Sequence, residues 1–589
     1  MTTPATIFRR FEEVVKLYPK NVALGYKVNG HYQTISYERL LEKVNRAVSG
    51  FKKLGIKEGD KVAIFSNNRP EWVKLDLALN KIGAISVPIH TTLSPKLIKY
   101  IINDSGAEYL TIGDLFSKYQ EIAHQVQLKK IITFNKIEWK EDVVYFDDLF
   151  KEEPDMSEPV IKDICTIIYT SGTTGNPKGA MLSNQNFISN IKAASQYIPY
   201  TSKDVFLSFL PLSHVLERTG GEYGVLYFGG AIYFAESPKT IGEDIKKVRP
   251  TIMVSIPRIF EKVHDKIMDQ VRQSSVLKQK VFYGSLRISR AYLKAKEIGS
   301  SLKLLLKFTH FLADKYVLSK VRANLGGRLK YFISGGASLY PAYARFFEAI
   351  GIKILEGYGL TETSPIVSVN PINEYRFGTV GKVLPGVSVK IAPDKEILVK
   401  GPNVMKGYYN NEAANNQAFE VGALPDEAEG EVRWFKTGDL GYLDKDGYLT
   451  IIGRKKEMLV TSTGKNVNPV DLENTLEESK YIRQVMVYGD KQKFLSALIV
   501  PDFEELKLYA KQNNINLEMF ELLRYQPLLN LFDAEIKSQL KEFPDNEQIR
   551  KFYLLDREFS EEREELTPTL KLRRERILEN YRHLISKKK

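Results

Sequence analysis

The sequence predicts an α/β protein: a large N-terminal domain of parallel-rich sheets and packed helices, then a small α+β C-terminal domain. Two observations carry that expectation. Over the first 450 or so residues, short apolar runs alternate with longer helical patterns, the order that builds parallel sheets with covering helices. After Gly453 the pattern changes to a smaller unit of about 135 residues that ends in a basic tail. A chain of 589 residues also exceeds what one hydrophobic core usually serves, so the domains are placed at 1–453 and 454–589.

In chain order, Lys61–Ser66 reads as a buried strand and Glu71–Ile82 as the helix after it. The apolar run Ile164, Ile167, Ile168, Tyr169 is a further strand, and it leads into Thr170-Ser171-Gly172-Thr173-Thr174-Gly175-Asn176-Pro177-Lys178-Gly179. Glycines let backbone N–H groups close on an anion, hydroxyls donate further hydrogen bonds, and Lys178 adds a full charge. This is chemistry for a polyphosphate. It is not a Walker loop, because Lys178 is followed by Gly179 rather than Ser or Thr. Thr251–Ile256 with Arg258–Val271 repeats the strand–helix pattern, residues 272–325 read as long helices, and Leu329–Ser334 reaches the turn Gly335-Gly336-Ala337. Ile352–Leu355 leads into Gly357-Tyr358-Gly359-Leu360-Thr361-Glu362. There two glycines allow close approach to a flat ligand, and Tyr358 offers a ring for adenine. Thr361 can donate to an α-phosphate, and Glu362 is a hard oxygen ligand for magnesium. Residues 410–433 form a polar, acidic loop.

Composition narrows the classes. Apolar residues make up 43% and charged residues 27%, the ordinary globular range. The lone Cys165 excludes an internal disulfide and fits a reducing cytosol, and the seven histidines form no ligand-spaced cluster. The amino terminus has no signal-peptide core, and the longest apolar stretch, Gly224–Ala235, is too short to span a bilayer. A soluble cytoplasmic protein is expected, with a peripheral position on the inner face of a membrane as the alternative.

Together the Thr/Gly loop and the Gly-Tyr-Gly-Leu-Thr-Glu block resemble the signatures of the adenylate-forming AMP-binding superfamily. The resemblance runs from about Phe8 to the end of the chain. It implies ATP, Mg2+ and coenzyme A as cofactors and a mobile C-terminal domain. It lays Gly335, Gly336 and Ala337 against the purine and gives the ribose hydroxyls to Asp439 of Thr437-Gly438-Asp439. It gives ribose and phosphate to Arg454, an interdomain hinge to Lys456, and the thiol channel to Gly464. Lys571, in Leu566-Thr567-Pro568-Thr569-Leu570-Lys571, matches the superfamily's catalytic lysine. The resemblance also implies a place between acyl substrate and nucleotide for His214, in Leu210–Arg218. The blocks Ser66–Trp72, Ser255–Lys262 and Ile451–Lys456, with the helical 272–325, resemble the long-chain acyl-CoA synthetase branch. That branch implies fatty acid plus Mg-ATP to acyl-AMP and pyrophosphate, then CoA to acyl-CoA and AMP.

Three alternatives stay open at this level. The acceptor is a carrier-protein phosphopantetheine rather than CoA, or the chain is a nucleotide-binding module without ligase activity, or it binds nucleic acid through its basic segment. No nucleic-acid reading motif is present, so nucleic acid is not expected as a partner. Oligomeric state is not given, a homodimer being one option.

The net charge of +13 is concentrated: residues 271–330 hold 14 Lys/Arg against Glu297 and Asp314. Within them Leu305, Phe308, Leu312 and Tyr316 share one helical face, opposite Lys303, Lys307, His310 and Asp314. Two uses fit such a helix: packing its apolar face on the large domain, or resting on an anionic membrane.

Overall fold

The structure is a computed structural model and describes residues 6–137, 139, 143–170, 176–237, 239–297, 304–422, 432–462, 465–492, 494–567 and 571–585. The chain divides into two compact units, and the division is not a single cut. The first takes Met1–Lys390, Leu398–Thr437 and Leu443–Thr450; the second takes Ile391–Ile397, Gly438–Tyr442 and Ile451–Lys589. Asp439 therefore groups with C-terminal residues.

Two large sheets organise the first unit. The nine-stranded one runs Lys382–Val383, Ile366–Val369, Lys353–Gly359, Tyr331–Ser334, Ile252–Ser255, Val205–Ser208, Ala231–Phe234, Val22–Val28, His31–Ser36. From Lys353–Gly359 across to Val22–Val28 neighbouring strands are parallel. The eight-stranded one runs Gly407–Tyr408, Lys178–Ser183, Ile164–Thr170, Ile85–Pro88, Lys61–Phe65, Tyr109–Ile112, Lys130–Thr133, Val143–Tyr145. Its central strands are parallel and buried on both faces, which explains their largely apolar runs.

The helices begin where local chemistry allows. Pro70 and Pro257 open Pro70–Ile82 and Pro257–Arg272, in the first turn where a missing N–H costs nothing. Pro70–Ile82 is buried almost all round and stops at Gly83, whose φ of 77° suits a residue without Cβ. Ser183 caps Asn184–Ala194 in a reciprocal box with Asn186. The segment expected to be long helices contains Val276–Glu297, Leu304–Ala313 and Ser319–Ala323, with a π-helical turn at Asp314–Leu318.

The second unit has its own core around a three-stranded sheet of Ile482–Tyr488, Leu495–Pro501 and Ile549–Leu554. The central strand, Leu495–Pro501, is buried at every residue. Helices Pro469–Leu476 and Gln526–Gln539 pack on it through Leu472, Leu476, Leu528, Phe532 and Ile536. Arg574 donates to both oxygens of Glu473 at 2.6 Å, fixing Arg574–Asn580 to this core.

Candidate active site

In the first unit the strand ends collect the expected residues. Ile164–Thr170 and Lys178–Ser183 form an antiparallel hairpin in which Thr170 pairs with Lys178, and the Thr170 hydroxyl donates to the Lys178 carbonyl at 3.4 Å. Ser171, Gly172, Thr173, Thr174 and Gly175 lie outside the described residues, between these two anchors. Lys178 sets its ammonium 5.2 Å from the ring centroid of Tyr408.

Tyr408 is held firmly. It belongs to the two-residue strand Gly407–Tyr408, which pairs with Ala180 and Met181. The Asn415 side-chain oxygen accepts from the Tyr408 N–H at 2.6 Å, and the Asn415 amide donates back to its carbonyl at 3.1 Å. The Tyr408 hydroxyl then donates to Glu362 Oε1 at 2.8 Å. Burial and the Glu362 charge push the phenol well above its usual range, so it stays a donor. Glu362 sits in the 3-10 turn Thr361–Thr363, mostly buried, with its carbonyl accepting from Met405 N–H at 2.8 Å. Lys178, Tyr408 and Glu362 thus form one chain of contacts, joining the exit of the Thr/Gly loop to the expected metal ligand.

Gly357-Tyr358-Gly359 ends Lys353–Gly359 and turns against Ile366–Val369. A Cβ on Gly359 would lie 1.7 Å from the Pro365 carbonyl oxygen, so only glycine fits. Gly335 N–H donates to the Ser255 carbonyl at 3.3 Å, Gly336 has φ +86°, and Ala337 is exposed. His214 caps Val215–Glu217 by accepting the Leu216 N–H on Nδ1 at 3.2 Å, which leaves the ring proton on Nε2.

The second unit gathers another group. Arg454 Nε lies 3.2 Å from Asp439 Oδ1. Lys571 is under the electrostatic influence of both. Burial pushes its amine down to about 8 and Arg454 acts the same way, while Asp439 and Glu457 oppose. Lys455 bonds Asp394 at 2.5 Å and Glu396 at 2.8 Å, and Glu396 accepts the Gly438 N–H at 3.0 Å, which fixes the turn carrying Asp439. Lys456 is exposed in the turn after Leu449–Arg454. Gly464 lies outside the described residues.

Among the described residues no three of His, Cys, Asp and Glu gather into a metal cage. A single buried carboxylate suits magnesium that arrives with nucleotide phosphates, since Mg2+ takes one or two carboxylates and keeps phosphate oxygens and waters. Glu362, with its orientation set by Tyr408, fits that task.

Comparison with known proteins decides the family. Residues 11–409 match the model of the AMP-binding enzyme family, and residues 456–588 match its C-terminal domain. The chain belongs to the AMP-binding enzymes. It is 34% identical over 575 residues to the long-chain-fatty-acid–CoA ligase FadD15 of Mycobacterium tuberculosis, covering 96% of this chain and 93% of that one. To human long-chain-fatty-acid–CoA ligase ACSBG1 it is 30% identical over 637 residues, covering 99% and 85%. Among solved structures, the adenylation domain of a carboxylate reductase from Mycobacterium chelonae superposes with a TM-score of 0.77 at 22% identity, covering 98% and 90%. That last likeness is one of fold.

Three features of this AMP-binding enzyme escaped the sequence reading. Tyr408 was one, because nothing local says that a Gly-Tyr pair will become an edge strand beside Glu362. A second is the buried pair Arg218–Asp76. The Arg218 guanidinium also donates to Thr166 and Ser86 at 2.8 Å, and the Tyr223 hydroxyl donates to Asp76. Beside this pair Glu222 is fully buried, and neither of its oxygens has a hydrogen-bond partner among the described residues. Burial and the neighbouring Asp76 raise its carboxyl strongly. The third is His90, which accepts the Thr92 N–H on Nδ1 at 3.3 Å. Burial, then His214 and Lys118, push it down to about 3, so it is neutral.

Proposed function

We propose that this chain activates a long-chain fatty acid with ATP and passes the acyl group to coenzyme A. In the first half-reaction the substrate carboxylate attacks the α-phosphate, the bond to pyrophosphate breaks, and acyl-AMP forms. In the second the CoA thiolate attacks the acyl carbonyl and AMP leaves. The reading is supported by family membership along nearly the whole chain and by the Lys178–Tyr408–Glu362 contacts, which join a cation at the exit of the Thr/Gly loop to a fixed carboxylate.

The residues take the following roles in this reading. Thr170, the loop 171–175 and Lys178 hold the β- and γ-phosphates, and Thr361 donates to the α-phosphate. Gly335–Ala337 and Gly357–Gly359 flank the adenine, with Tyr358 stacked on it. Asp439 accepts from the ribose hydroxyls and Arg454 donates to ribose and phosphate. Glu362 would hold magnesium, which supplies positive charge to the phosphates. Lys571 bridges the substrate carboxylate and the α-phosphate in the first transition state. His214 sits between acyl group and nucleotide. Lys456 is the hinge, and Gly464 lines the thiol channel.

The decisive assay is steady-state turnover over an acid series from acetate to stearate with free CoA. Long chains should be strongly preferred, and acyl-CoA and AMP should appear together. Equal turnover of acetate or benzoate, or acyl transfer only to a carrier protein, would overturn the reading.

A second reading concerns place. No helix among the described residues is long and apolar enough to cross a membrane. We place the protein peripherally at an anionic membrane face, in contact through 271–330. A homodimer would be a separate property, read by sedimentation.

A further inference from the structure

The helix Leu304–Ala313 is amphipathic in the reverse sense. Of the two uses its sequence allowed, packing its apolar face on the large domain is not the one observed. Of its polar side, His310 turns inward: it stacks on Tyr292 with ring centroids 4.0 Å apart and meets the Ser289 hydroxyl at 3.4 Å. Just beyond its end, Asp314 accepts both arms of Arg322 at 2.6 and 2.9 Å. The apolar side turns outward, with exposures of 83% for Leu304, 72% for Leu305, 58% for Phe308, 55% for Phe311 and 58% for Tyr316. These positions, spaced i, i+1, i+4, i+7 and i+12, form one ridge. Lys307 and Lys315 are exposed beside it, and Lys315 lies 5.7 Å from the Phe311 ring and 5.6 Å from the Tyr316 ring. Lys303 lies outside the described residues.

From this we infer that the ridge Leu304–Tyr316 inserts into the outer few ångströms of an anionic bilayer, with its lysines at headgroup level. This deepens the peripheral reading above, which charge alone would satisfy. Three features favour a bilayer over a second copy of the chain. The ridge is large and apolar, and solvent contact of that kind marks an interaction surface. Its aromatic residues and the lysines over them match the interfacial mixture of apolar body and charged tip. A symmetric dimer through this face would set the exposed Lys307 and Lys315 beside their own copies, while Asp314, the one acid of Leu304–Tyr316, is already held by Arg322. A fatty-acid substrate is itself dissolved in such a bilayer.

The test uses the full-length chain with Phe308→Cys, labelled with an environment-sensitive fluorophore. The native Cys165 is buried and its thiol is pushed up to about 12, so labelling is selective. Vesicles of phosphatidylcholine with phosphatidylglycerol should shift the emission to the blue, and quenchers placed in the acyl chains should extinguish it. High salt should weaken flotation without abolishing it. Leu305→Ser with Phe308→Ser and Phe311→Ser should lower partitioning by roughly tenfold or more, since each residue loses an apolar side chain's transfer from water. Turnover of a detergent-dispersed acid should be unchanged in that variant, which separates this inference from the ligase reading. Flotation that high salt abolishes, with no quenching from the acyl chains, would leave only charge-driven docking and overturn insertion. So would a blue-shifted label in lipid-free dimers, or full flotation of the triple serine variant.

Discussion

Raising the pH from 7 to 9 titrates Lys571 in the proposed first half-reaction, because that step needs the charged amine. Burial, reinforced by Arg454, brings the amine from its ordinary 10.5 to about 8. That fall corresponds to about 3 kcal/mol of preference for the neutral form. At pH 7 about nine molecules in ten carry the charge, and at pH 9 about one in ten does. The kcat/KM of acyl-AMP formation, read by ATP–pyrophosphate exchange, should therefore fall about tenfold between those values. Thioester formation from supplied acyl-AMP should not follow the same limb. Lys571→Arg, whose charge persists, should lose the alkaline limb even if slower. The same residue bears on stability. Its folded pKa is depressed, so between about pH 8 and 10.5 the unfolded chain holds more protons and stability rises with pH. Below pH 8 the cost of the buried charge is fully present. Lys571→Met should abolish adenylation while raising the unfolding free energy at pH 7 by up to about 3 kcal/mol in urea titrations. A limb near 10.5, equal slowing of both half-reactions, or a destabilised Lys571→Met would refute the reasoning.

Four further outcomes are expected. Tyr408→Phe keeps the ring under Lys178 but frees the Glu362 orientation, so the Mn2+ dissociation constant, measured by electron paramagnetic resonance with a non-cleavable ATP analogue, should rise about tenfold. Asp76→Ala strands a fully buried Arg218 and should lower the unfolding free energy by about 3–5 kcal/mol in denaturant titrations. Glu217, raised to about 8 by burial, is neutral at pH 7. Because the folded form keeps its proton longer than the unfolded one, wild-type stability falls between about pH 4.5 and 8, and the advantage of Glu217→Gln should widen across that window. Lys456→Pro should spare adenylation and slow thioester formation in single-turnover assays, since proline fixes φ at the proposed hinge.

The alternation of elements was legible because strand and helix periods are local properties of the chain. Lys61–Phe65 and Pro257–Arg272 lie within a residue or two of the expected Lys61–Ser66 and Arg258–Val271, since buried parallel strands read as apolar runs and helices as longer periodic ones. The loop bearing Lys178 stood out because glycine, hydroxyl and charge at fixed spacing have few other uses, whereas Glu362 and Lys571 stood out through the resemblance of their blocks to family motifs. Three things were decided only in three dimensions. Tyr408 reaches Glu362 because Gly407–Tyr408 pairs with Lys178–Ser183, across more than 220 residues of chain. Asp439, Arg454 and Lys571 share one electrostatic environment because short segments near 391–397 and 438–442 fold with the C-terminal residues. The helix Leu304–Ala313 faces its apolar ridge outward, whereas its periodicity is the same whichever side is buried. Periodicity determines that a helix has two faces; only the partners His310 and Asp314 find in the fold determine which face meets solvent.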